Sequence, residues 1–232
     1  MRPVRLPLAV LLLAATLPAA CAPAPVDTVV ALGDSVPAGT GCGCVPFPDL
    51  YARMLSPTTA TVNLARPGLT SGQALESLHD EPARRAVGRA SVVLVMAGAN
   101  DVAGAVSDAS SAAPIDEVRD NVSAVVREVH RVRPAAAVLV FGYWNVAADG
   151  EVARGTYDPD QITRAESLTG ACDTALREAA EANGATYVDT RPLFKGDDGA
   201  RDPTALLAPD GDHPNAAGQR AIALAAYAAR PV

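Results

Sequence analysis

From Asp27 onward, short apolar runs alternate with longer stretches whose apolar residues recur every three or four positions. Residues 28–32 (TVVAL) are apolar at almost every position and stop at Gly33, which predicts a strand buried on both faces. Residues 61–64 predict a shorter strand, and residues 91–97 (SVVLVMA) predict the clearest one, apolar on both faces. Two more are expected over 136–141 and 185–188. Between them the periodicity predicts helices over 47–55, 71–78, 115–132, 161–182 and 216–229. In the third of these, Val118, Val122, Val125, Val126 and Val129 fall on one face. Asn183-Gly184 reads as a helix stop, and Asn215 as an N-cap. The longer connections, 99–113 and 144–160, read as loops. Five strand–helix alternations predict an α/β fold: a parallel sheet covered by helices on both sides. In such sheets reactive groups gather beyond the carboxyl ends of the strands.

The first residues follow a different pattern. Arg2 and Arg5 precede an apolar stretch over 6–17, which a small, proline-broken segment ends. That is too short to span a bilayer comfortably and carries the flanks of a cleaved export signal over residues 1–24. Small residues directly before Cys21 fit a lipoprotein signal, but Pro18 stands where a leucine-like residue is usual, so both lipidation of Cys21 and plain cleavage stay open. Residues 25–232 are then enough for one domain with its own core. No later run is apolar enough for a membrane helix. The mature protein is expected to be secreted, or tethered to the outer face of the membrane.

Charge removes one class of function. The formal net charge is −7 and arginines are scattered, so a nucleic-acid role has no basic surface to rest on. Lysine is nearly absent (Lys195 alone), which on composition points to a GC-rich bacterial source. Cys42, Cys44 and Cys172 belong to the folded region. Two cysteines separated by one glycine rarely pair, so the expected disulfide joins Cys42 or Cys44 to Cys172 and closes a loop of about 130 residues. No His or second Cys pair sits at zinc-ligand spacing, and no metal is expected.

Chemistry-bearing residues follow the strands. Gly33-Asp34-Ser35 comes after the first, and a serine at such a turn can project above the sheet with its own N–H facing a bound carbonyl. Gly68 comes after the second, where glycine lets a backbone N–H approach a ligand; Gly72 is the alternative in the same segment. Gly98-Ala99-Asn100-Asp101 comes after the third, and the Asn100 amide can donate to a developing oxyanion. Before the last helix stands Asp210-Gly211-Asp212-His213. A serine nucleophile needs an imidazole to take its proton, and the imidazole needs a carboxylate to fix its tautomer. Asp210 and His213 can face each other from one loop, whereas Asp212, adjacent to His213, is expected to meet solvent or the helix N-terminus. Tyr143 and Trp144 follow the fourth strand and are weaker candidates for lining a substrate pocket, since strand-end aromatics commonly pack. His79 and His130, among charged residues, are expected on the surface.

Singly these motifs are weak; in this order they resemble the SGNH hydrolase family, also called the GDSL esterase/lipase family. The resemblance runs from Val29 to about Ala229. It implies a flavodoxin-like three-layer sandwich with about five parallel strands. By the same resemblance Ser35 is the nucleophile, His213 the general base and Asp210 its orienting partner, with an oxyanion hole from the N–H groups of Ser35 and Gly68 and the Asn100 side chain. Val36-Pro37 stands where relatives carry leucine, a position without chemistry. The elbow Gly-x-Ser-x-Gly of ordinary α/β-hydrolases is absent, because Pro37 fills its last place. The expected activity is an esterase or lipase working through an acyl-enzyme, with no cofactor, as a monomer. Its substrate class spans small-molecule, lipid and acylated-glycan esters. Low aromatic content, 4%, and the lack of an obvious lid favour short or soluble acyl groups. Two alternatives share these residues: an acyltransferase or deacetylase on cell-envelope or extracellular glycans, and a non-catalytic surface binding module on the same fold.

Overall fold

A computed structural model describes residues 27–230. The expected export signal and the lipidation of Cys21 lie outside the described residues. The chain runs β1 (Thr28–Gly33), α1 (Ser35–Ala38), α2 (Phe47–Leu55), β2 (Ala60–Asn63), α3 (Ser71–Ser77), α4 (Glu81–Val87) and β3 (Val92–Met96). It continues through α5 (Ala99–Val102), α6 (Gly104–Ser107), α7 (Ile115–Val132), β4 (Ala137–Phe141), α8 (Gly150–Thr156) and α9 (Pro159–Ala182). β5 (Thr186–Val188), α10 (Arg191–Lys195), a 3₁₀ turn (Thr204–Leu206) and α11 (Ala216–Ala229) complete it. The five strands form one parallel sheet in the order β2-β1-β3-β4-β5, flanked by helices as an α/β three-layer fold.

Apolar patterning explains the layers. Every residue of β3 is buried, as a central strand covered on both faces requires. The five valines of the α7 stripe are all fully buried, and α7 packs against α3 and α9. α2 packs against α11 as a separate pair. All five expected strands and all five expected helices are present. The two expected loops are not plain loops: 99–113 holds α5 and α6, and 144–160 holds α8. α5 and α6 are single turns, too short for periodicity to register, and α8 runs for only seven residues among glycine and polar positions that read as a connection. α9 begins at Pro159, earlier than expected, because Asp158 and Gln161 form a reciprocal capping box around a proline in the first turn.

The sheet order places the site. β1 is followed by β2 on one side and flanked by β3 on the other, so the connections leaving β1 and β3 diverge and open a crevice at their carboxyl ends. Gly33 makes the exit from β1 feasible. Its φ is +147°, and a β-carbon there would lie 2.0 Å from the Met96 carbonyl oxygen. The Asp34 N–H donates to that same carbonyl at 3.0 Å, closing β1 against the end of β3.

The expected long-range disulfide is not made. Cys42 pairs with Cys44, and Cys172 is a buried free thiol. Cys172 sits on the core-facing side of α9, close enough that a β-carbon on Gly98 would lie 3.2 Å from its sulfur. Cys42 and Cys44 instead share a partly exposed loop, where Gly43 takes a left-handed φ of +55° and brings their Cα atoms to 5.1 Å. Burial pushes the Cys172 thiol well above its usual pKa, as expected for an unreactive core cysteine.

Candidate active site

Ser35 opens the single turn α1 directly after β1. Asp34 caps that turn, its Oδ1 accepting from the Val36 N–H at 3.0 Å. The other carboxyl oxygen of Asp34 accepts from the Tyr143 hydroxyl at 2.5 Å, which ties the turn to the end of β4. Asn63, at the end of β2, donates its amide to the Pro37 carbonyl at 2.7 Å. Gln219 of α11, fully buried, donates to the Val36 carbonyl at 3.1 Å and accepts from the Phe47 N–H at 2.8 Å. The serine turn is therefore gripped from β2, β4 and α11.

Asn100 lies in the first turn of α5 and donates one amide N–H to the Leu69 carbonyl at 3.0 Å. A primary amide has two such protons, so the second can serve a ligand. Asp101 reinforces the tie, accepting from the Ser71 hydroxyl at 2.6 Å and the Ser71 N–H at 2.9 Å. The Gly-x-Asn-Asp motif thus fastens α5 to the segment around Gly68.

The fourth motif forms a rigid loop. The Asp210 Oδ1 accepts from the N–H groups of Asp212 and His213, each at 3.0 Å, and its Oδ2 faces His213 Nδ1 at 2.8 Å. Partial burial pushes the Asp210 carboxyl upward, but those amides and the imidazole outweigh it and hold its pKa below the usual value. Asp212 departs from expectation. Its Oδ2 lies 3.9 Å from His213 Nε2, on the side of the ring away from Asp210, so it faces the cleft and not only solvent. Burial and the neighbouring Asp210 push its carboxyl pKa up, against the pull of His213.

These parts meet in one cleft of about 430 Å³, whose lining includes Ser35, Asn100, Asp210, Asp212 and His213. Among the described residues no direct hydrogen bond joins the Ser35 hydroxyl to His213, a looseness common in unliganded sites. Val146, Ala147, Val152 and Tyr157 supply an apolar wall. Tyr143 and Trp144 border the cleft from beneath: each is 1% exposed, and Trp144 stacks on Phe194 with ring centroids 3.9 Å apart. Gly68 is not in this cleft. It lines the neighbouring depression with Arg66 and Gln73, one residue from the Leu69 carbonyl that Asn100 holds. Gly72 sits inside α3, where a β-carbon would meet Asn121. His79 and His130 lie outside the cleft lining. No group of His, Cys, Asp and Glu able to hold a metal occurs among the described residues.

Several supporting residues carried no legible signal. The Asp149 N–H donates to the Gly211 carbonyl at 2.7 Å, while its carboxylate caps α8 and pairs with buried Lys195 at 2.9 Å. Asp149 thus links the α8 wall to the His213 loop. Lys195 also lies 3.5 Å from Glu166, so the costly change is loss of Lys195, which would leave the buried Asp149 carboxylate without its cation. Only the fold shows that these distant residues converge.

Asp34 and Asp173 give a pH prediction. Burial pushes each carboxyl up to about 7, although hydrogen bonds from Tyr143 (its hydroxyl to Asp34, its backbone N–H to Asp173) work against it. The folded protein therefore keeps protons that the unfolded chain releases near 3.8. The stability these groups contribute is full below about pH 4 and is lost as pH rises through about 7. The unfolding free energy from denaturant titrations is expected to fall between about pH 4 and pH 7, by up to about 1.4 kcal/mol per pH unit for each group, and to level off above that window. Asp34→Asn and Asp173→Asn should each flatten the profile; parallel profiles for wild type and both variants would refute the assignment.

Comparisons with known proteins agree with this architecture. The family model described as the GDSL-like Lipase/Acylhydrolase family matches residues 31–221. Against curated proteins, the sequence comparison finds no match. Among solved structures, a lipase from a goat rumen metagenome is 19% identical, with a TM-score of 0.72 over 88% of this chain and 97% of that one. The extracellular lipase of Streptomyces rimosus is 21% identical, with a TM-score of 0.66 over 88% of this chain and 100% of its own. The acetyl xylan esterase AlAXEase is 18% identical, with a TM-score of 0.62 over 88% and 100%. At these identities the structural likeness shows the fold, and the family match adds the chemistry: the chain belongs to the GDSL-like lipase/acylhydrolase family and is a carboxylic ester hydrolase.

Proposed function

We propose that the chain is an exported serine esterase in which Ser35 attacks the ester carbonyl, His213 takes the hydroxyl proton and Asp210 orients the imidazole. One observation carries this reading: His213 and Asp210 are hydrogen-bonded in the same cleft that presents Ser35 and Asn100. With Nδ1–H donated to the carboxylate, Nε2 is left as the proton acceptor that a serine nucleophile needs. The oxyanion then meets the Ser35 N–H and the free proton of the Asn100 amide. A third donor, the Gly68 N–H, requires that the segment held by the Asn100–Leu69 tie turn it from the neighbouring depression toward the bound ester. Collapse of the tetrahedral intermediate expels the alcohol on a proton returned by His213. Water, activated by the same imidazole, then releases the acid. Residues 25–232 form the working domain, and the Cys42–Cys44 pair suits an oxidising compartment. The protein acts freely secreted or anchored through Cys21.

The cleft supports short acyl groups, because its apolar wall is built largely from alanine and valine and is only about 430 Å³ in extent. Purified protein should hydrolyse p-nitrophenyl acetate and butyrate, and a fluorophosphonate should add to Ser35, as read by intact mass and peptide mapping. Failure of both would favour a binding module, and ester exchange to added alcohols would favour an acyltransferase. Asn100→Ala should lower kcat about 100- to 1000-fold with a smaller change in KM. A loss below about tenfold would remove Asn100 from the oxyanion site.

A further inference from the structure

The segment 39–46 runs as a strap from the serine turn across the Asp210–His213 pair. The Thr40 N–H donates to the Ser35 carbonyl at 3.0 Å, fixing one end. At Gly41, with φ +73°, a β-carbon would lie 2.9 Å from Asp210 Oδ2 and 3.2 Å from His213 Cβ, so bare backbone lies against both side chains. A β-carbon on Gly43 would meet nothing within 4 Å, so the tip of the strap stands open. Gly39, Gly41 and Gly43 all take positive φ, and a stretch so rich in glycine has much backbone freedom to lose. The Cys42–Cys44 bond closes a ring within this stretch and limits that freedom.

Resting on the Ser35–His213–Asp210 reading above, we propose that the Cys42–Cys44 disulfide is a redox-sensitive positioning device, which holds Gly41 against Asp210 and His213 and so fixes the general base. Exposed disulfides are the readily exchanged ones, whereas Cys172 is shielded by the core. Opening requires a dithiol reductant. One thiolate attacks a cysteine sulfur and breaks the S–S bond, and the second resolves the mixed disulfide. The reductant loses two electrons and becomes a disulfide, while Cys42 and Cys44 each gain a hydrogen. The strap then has its full glycine freedom, and the backing of the imidazole is lost.

The test uses the purified protein with dithiothreitol, thiol titration and ester hydrolysis. Reduction should release two thiols and lower kcat about 10- to 100-fold, with KM within about twofold and recovery on reoxidation. The low-field proton of His213 Nδ1 should shift or broaden in parallel, a readout that needs no substrate. The Cys42→Ser/Cys44→Ser double variant should be slow and indifferent to dithiothreitol. Unchanged kcat and an unchanged proton after two thiols appear would overturn the proposal. So would an equal further loss on adding dithiothreitol to the double variant, a loss that coincides with unfolding by circular dichroism, or free Cys42 and Cys44 thiols before reduction. A responsive proton in a protein without esterase activity would sink the esterase reading and leave the strap standing.

Discussion

Ser35→Ala is expected to lower kcat about a million-fold, down to the rate that binding and the oxyanion donors alone sustain. The alanine keeps the backbone N–H that faces the oxyanion and leaves the Asp34 cap intact, since that cap bonds the Val36 N–H. The fold should therefore survive, and only the hydroxyl is lost. The double variant Ser35→Ala/His213→Ala should be no slower than Ser35→Ala, because an imidazole without a hydroxyl to activate contributes nothing. Single-turnover hydrolysis of p-nitrophenyl butyrate measures both. Activity retained in Ser35→Ala, with fluorophosphonate adding elsewhere, would move the nucleophile to another residue.

Asp210→Asn should cost about 10⁴-fold in kcat at neutral pH. The new side-chain oxygen can still accept from the Asp212 and His213 amides, as Oδ1 does now at 3.0 Å. Its amide nitrogen, however, would face His213 Nδ1 and force the ring to carry its proton on Nε2. A protonated Nε2 cannot accept from Ser35. Asp212 makes this worse, because its carboxylate lies 3.9 Å from Nε2 and would hold the proton there. Asp212→Asn should cost much less, since it leaves the Asp210 bond in place. Equal losses in the two variants would show that Asp212 shares the orienting role, and a larger loss in Asp212→Asn would transfer it from Asp210 to Asp212.

That Ser35, Asn100, Asp210 and His213 would share one cleft was legible because each stands beside a strong local marker. Ser35 and Asn100 follow two clearly apolar runs, 28–32 and 91–97, and His213 precedes the helix that Asn215 caps. A strand end is where a parallel sheet exposes side chains, so position along the chain already implied position in space. Asp34 and Gln219 were not legible as supports. Their partners, Tyr143 and the Val36 carbonyl, lie 109 and 183 residues away, and no local pattern reports such a pairing. The aromatic pair Tyr143–Trp144 was placed at the correct rim, but whether a ring opens to the cleft or packs beneath it depends on what lies under it. Here Phe194, from α10, fills that space.

The sequence by itself determined the five strands, five of the helices, the parallel arrangement of the strands and which polar residues stand at the strand ends. Patterning is a local property: a run of five to seven residues, rich in valine and dry on both faces, is too short for a buried helix and fits a strand inside a covered sheet. Only the tertiary structure decided which cysteines bond, which way Asp212 points and which depression Gly68 lines. Those outcomes turn on the approach of segments far apart in sequence, set by strand order and by left-handed glycines that let backbone pass where a side chain would collide.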